Sequence, residues 1–213
     1  MILRQLQSLL AKLYDVPSEH AVDDFLVTDC EALPKGIEAS TDEHVFVMQA
    51  DDAVCVTVYI ARRVLERLAG NSPLCALGDD NLSDYCTALE GVSHFHYLAW
   101  RATRQRSVTL LELELQAEVD KYAAAMQLLT AQQEGRYPHA LHERLFDRVQ
   151  YRDDLDAESL TRYRNANRWA ARFCRQLDER FLRRRRCRPD AWLGELRRFY
   201  RLNAREKLQW ATA

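Results

Sequence analysis

The sequence predicts a mainly α fold: a helical bundle with one small β-hairpin near the N-terminus. Three observations lead there. Apolar residues recur at steps of three and four through most of the 213 residues. Two adjoining runs are instead dense in β-branched and aromatic side chains. Gly and Pro, only 6 and 5 in number, punctuate the pattern at a few sites.

Leu3, Leu6, Leu10 and Leu13 make the first stretch an amphipathic helix, ended by Asp15, Val16 and Pro17. Ser18 is expected to cap a short helix carrying Val22, Phe25 and Leu26, and residues 33–36 read as a loop. The runs 44–49 and 54–60 are the strands, with 50–53 as their connection. Two strands alone are marginal in water, so this hairpin must lie against helices or pair with another edge. Residues 62–69 turn helical again. From Asp79 onward Leu82, Cys86, Leu89, Ser93, His96 and Trp100 share one sector.

Residues 110–114 alternate Leu with Glu as a half-buried strand does. Leu, Glu, Gln and Ala favour helix, and Leu111, Leu115, Val119, Tyr122, Met126 and Leu129 continue as one helical stripe. Leu110, Leu113 and Leu128 fall opposite, which predicts a central helix apolar on two faces. After Gly135 a helix is expected over 138–149, then a long one over 156–186, ended by Pro189. Pro189 opens another helix with Trp192, Leu193, Leu196, Phe199 and Tyr200, and Asn203 with Glu206 forms a capping box for the last.

Net charge is −2, but it is divided. Residues 1–135 hold 10 Lys+Arg against 21 Asp+Glu, net −11; residues 136–213 hold 20 against 11, net +9. An acidic part with two long helices is therefore expected to pack with a basic, arginine-rich helical part as one body. No run reaches the roughly 18 apolar residues of a membrane span, and 1–6 lacks the apolar core of a secretory leader. The six cysteines form no Cys-x-x-Cys pair, so zinc ribbons and redox motifs are unsupported and a cytoplasmic setting is expected.

In the long basic helix Tyr163, Asn167, Ala170, Cys174, Leu177 and Phe181 form the buried stripe. Arg164, Arg168, Arg172, Arg175 and Arg183 run down another sector, joined by Arg184, Arg185, Arg186 and Arg188. Guanidiniums bind carboxylates and phosphates bidentately, so an accessible row suits a polyanion or an acidic partner. The competing reading is a solvated face stitched by pairs such as Arg175 with Asp178 or Glu179.

Among other chemistry-bearing residues, Glu114 and Glu118 share a face, whereas Glu112 borders the apolar stripe from its other side and Asp120 points away. His94 and His96 lie about 200° apart and cannot share a metal, and His96 is read as a hydrogen-bonded core histidine. His139, His142 and Glu143 do not match the His-Glu-x-x-His order of metalloproteases. Glu-x-x-His pairs, nucleophile elbows and glycine-rich phosphate loops do not occur.

The expected function is therefore non-enzymatic: an intracellular adaptor whose arginine face contacts an acidic protein surface, including that of a second copy in a homo-oligomer, with no cofactor. The alternative is an all-helical hydrolase of a phosphorylated small molecule, with Glu112, Glu114 and Glu118 holding Mg²⁺ or Mn²⁺ beside acids from another helix. Nonspecific nucleic-acid binding ranks third, since no helix-turn-helix is evident and the acidic part repels phosphate.

Overall fold

The computed structural model describes residues 2–33, 41–50, 53–182 and 189–212, with backbone alone at 49, 50, 53, 54, 211 and 212. It is mainly helical with a small sheet near the N-terminus. Helix α1 (Ile2–Tyr14) buries Leu3, Leu6, Leu10 and Leu13 as its periodicity requires. Its last carbonyls are capped from the basic part: Arg197 donates to the carbonyls of Leu13 (3.0 Å) and Lys12 (3.2 Å). Cations at a helix C-terminus also complement its dipole.

The hairpin is β2 (Glu43–Ala50) with β3 (Ala53–Ile60), after a two-residue strand β1 (Leu26–Val27). β1 joins β3 in parallel, Leu26 opposite Val58, so the sheet has three strands in the order β1-β3-β2. β2 runs antiparallel to β3 with Val45 opposite Val58. Ser18 caps nothing. Residues Val22–Phe25 form a single 3₁₀ turn without a side-chain cap. Gln7 of α1 claims the segment instead, donating to Ser18 Oγ and the His20 carbonyl and accepting from the Val22 amide.

Helices α2 (Arg62–Gly70), α3 (Asp79–Ala102) and α4 (Leu110–Gln132) follow. α4 is central, packed on α1, α3 and α5 (Ala157–Leu177), with Leu113 and Leu115 both buried. Only Leu110, in its first turn, departs from the two-faced pattern and is exposed. Thr109 caps α4 by accepting from the Glu112 amide.

The helix expected over 138–149 is confined to 141–147, where Leu141 and His142 run into a wide turn, Glu143–Asp147. Tertiary contacts outweigh its propensity: Phe146 is drawn against Tyr122, and His142 Nε2 meets the Ala171 carbonyl at 2.9 Å. α5 starts at its Asp156 cap and loosens into a wide turn over Asp178–Leu182. α6 (Pro189–Arg201) and α7 (Ala204–Thr212) close the chain. α6 stacks Tyr200 on Tyr14, so one continuous apolar core runs through the acidic and basic parts.

Candidate functional site

The arginine row of α5 has the accessibility its spacing predicts. Arg164, Arg168, Arg172 and Arg175 are all exposed, while Ala166, Asn167, Ala170, Phe173, Cys174 and Leu177 of the same helix are buried. At 1.5 Å per residue the four guanidiniums span about 17 Å of helix. Among the described residues Arg168 reaches Asn165 (3.1 Å) and the Trp169 ring, and Arg164 lies over the Tyr151 ring. Arg175 pairs with neither Asp178 nor Glu179; Asp178 is buried, accepting from the hydroxyls of Tyr122 and Tyr137. Arg183, Arg184, Arg185 and Arg186 lie outside the described residues.

Ion pairing is distributed unevenly. Arg4, Arg62, Arg63, Arg67, Arg101, Arg144, Arg148 and Arg152 each meet a carboxylate. Among the described residues no ion pair uses a cation beyond Arg152, and one alone, Arg144 with Asp79, joins the acidic part to the basic part. Residues 155–213 carry 16 Lys+Arg against 7 Asp+Glu, so the whole +9 sits there. Among the described residues the two parts pack together with that single ion pair between them.

A second constellation lies inside the bundle, where β2, α3 and α4 meet. His94 Nδ1 stands 3.3 Å from Glu43 Oε1, and His94 Nε2 stands 3.7 Å from Glu114 Oε2. Lys121 bridges Glu90 (3.1 Å) and Glu118 (2.7 Å). Burial alone would lower the His94 pKa, but Glu43, Glu114 and Glu90 outweigh it and raise it to about 9. Burial pushes Glu114 up to about 7 and raises Glu43 and Glu118; Glu90 is held low because Lys121 and His94 outweigh its burial. Glu90, His94 and Glu114 each offer a ligand atom within 4.8 Å of the others. Compared with family models, curated proteins and solved structures, the chain matches none.

Glu112 does not belong to that cluster, so the carboxylate trio expected from the sequence is split. Its side chain points to the other side of α4, where it accepts from Tyr97 Oη at 2.6 Å and lies 3.4 Å from Arg101 Nη2. Tyr97 Oη in turn accepts from Lys207 Nζ (2.8 Å), which also donates to Gln116 Oε1 (2.6 Å). Gln116 and Ser93 donate to Asp120, each at 2.6 Å, and Tyr14 donates to it as well. This buried chain of polar groups ties α1, α3, α4 and α7 together.

The histidines separate as their spacing requires. His94 enters the carboxylate cluster, whereas His96 lies near Tyr200. His96 is core, but its Nε2 has no hydrogen-bond partner among the described residues, and burial lowers its pKa to about 4. His142 is spent on the Ala171 carbonyl and Glu143 on Arg148, so His139, His142 and Glu143 form no zinc site. Glu43, Glu90 and Lys207 were not singled out by sequence. Glu90 and His94 stand four apart on one helix, as do Glu114 and Glu118, and that matched spacing was the available signal. Glu43 comes from a strand and carried none.

Proposed function

We propose that the chain is a binding protein that takes an acidic protein surface on the arginine face of α5. The observation that carries this is the row of four exposed guanidiniums, free of ion pairs among the described residues, in a molecule that pairs eight other arginines. A rigid helix presenting planar, bidentate donors suits clustered carboxylates. A long phosphate polymer would extend past the face and meet the acidic part, which favours a compact acidic partner over nucleic acid. A second copy supplies one, since Glu19, Glu31, Glu66, Asp80 and Glu134 are exposed and outside every ion pair described. The cytoplasm suits this reading: five cysteines are free thiols, and no described helix is long and apolar enough to cross a membrane.

Light scattering on the full chain at about 50 mM and 500 mM salt, where screening lengths differ several-fold, tests the proposal. We expect a dimer at low salt that dissociates at high salt, and a monomer at both for the double variant Arg168→Glu/Arg172→Glu. Polyglutamate and heparin serve as competitors. A chain that is monomeric at both salts and binds no polyglutamate overturns the proposal; tight heparin binding without polyglutamate binding assigns the face to a polyanion instead.

A further inference from the structure

We propose that Glu90, His94 and Glu114 bind a divalent transition-metal ion, with Glu43 positioning the imidazole from behind. This site shares no residue with the α5 arginine face. Three features of its construction point to a ligand. First, His94 Nε2 is buried with no hydrogen-bond partner among the described residues, and it is aimed at the Glu114 carboxylate 3.7 Å away. Second, the other ring nitrogen is held by Glu43 at 3.3 Å, the carboxylate–histidine arrangement that fixes a ligating imidazole's tautomer and orientation behind a metal. Third, Glu43 passes closely over residue 91, where the absence of a side chain leaves it room. A Cβ at Gly91 would stand 3.1 Å from Glu43 Cγ and 3.3 Å from its Oε1.

The donor set selects the ion. Ligand atoms within 4.8 Å of one another need a modest inward shift to share a cation at metal–ligand distances of about 2.0–2.2 Å. One imidazole with two carboxylates suits Mn²⁺, Fe²⁺ or Zn²⁺, whereas Mg²⁺ prefers oxygen and water throughout. Glu90 holds Lys121 through Oε2, which leaves its second oxygen for the ion. The side chains of Glu90 and Glu118 are 24% and 19% exposed, so the cluster opens to solvent on that side. Three protein ligands leave coordination positions for water, as in sites that act on a substrate.

The experiment is calorimetric titration of the chelator-treated full chain with Mn²⁺ and separately with Zn²⁺, joined to nitrogen NMR of the histidine rings. One ion per chain is expected, with Zn²⁺ shifting Nε2 of His94. Glu114→Gln and His94→Gln should each weaken binding at least about tenfold, and Glu43→Gln about 10- to 100-fold with a mixed His94 tautomer. The Arg168→Glu/Arg172→Glu variant should bind the ion as the native chain does. Absence of binding up to millimolar metal overturns the assignment, as does unchanged affinity in both Glu114→Gln and His94→Gln. A Zn²⁺ shift at other histidines with none at His94 also overturns it. The NMR arm uses native protein and decides the matter even if a variant fails to fold.

Discussion

Lys207 is a lysine whose surroundings take its chemistry far from its type. Its side chain is fully buried, held by Tyr97 and Gln116, with its amine over the Tyr97 ring. Burial lowers its pKa to about 7, since Glu112 and Asp120 offset only part of the desolvation. Between that value and the ordinary lysine range near 10.4 the unfolded chain binds a proton that the folded chain does not. Stability contributed by this group therefore rises with pH across that window. His94, raised to about 9, acts in the opposite sense above the ordinary histidine range. The clean measurement is a difference: in urea titrations, the stability of the native chain relative to Lys207→Met should shift in favour of the native chain from pH 7 to 10. A flat difference would mean that Lys207 stays charged in the fold. Gly91 makes a second case. Gly91→Ala gains about 1 kcal/mol of helix propensity but crowds Glu43 and Ile60 Cδ1 at 3.1–3.3 Å. Overpacking costs about 1–3 kcal/mol. A net loss of roughly 1 kcal/mol in denaturant is expected, with His94 freed from Glu43.

Among the elements, those with local chemistry at their ends were the most legible. Asn203 Oδ1 accepts from the Glu206 amide (3.0 Å) and Glu206 Oε2 accepts from the Asn203 amide (2.9 Å), the reciprocal box that the spacing announces. α7 has nine residues, too few to be stable alone, so cap and packing together decide whether Lys207 is delivered to the core. Asn203→Ala should cost about 1 kcal/mol and selectively speed amide hydrogen exchange in α7; unchanged exchange would show that packing suffices. α4 was legible for a different reason. Its Leu–Glu alternation imitates a strand, but a stripe sustained from Leu111 to Leu129 has only the helical period, and burial on two sides follows from it. The turn at Glu143–Asp147 was misjudged because Phe146 and His142 are placed by partners from α4 and α5, which local sequence does not reveal.

Over the whole molecule, charge and packing divide the chain differently. The acidic and basic parts share one apolar core, and polar links cross between them: Lys207 to Gln116, Arg197 to the end of α1, Asp178 to Tyr122. We expect thermal unfolding in one transition whose calorimetric and van't Hoff enthalpies agree; two separated transitions would show the parts to be independent domains. The residue sequence by itself determined most of the helices, the hairpin, the two-faced α4 and the alignment of the arginines along one sector of α5, because period, caps and breakers act over a few neighbouring positions. Only the tertiary structure decided that β1 completes the sheet, that Glu112 is taken up by Tyr97 and Arg101, and that Glu43 crosses Gly91 to reach His94. It also decided that the arginines of α5 find no carboxylates among the described residues. Each of those outcomes depends on which side chains meet across dozens of residues, and a one-dimensional pattern carries no information about that distance.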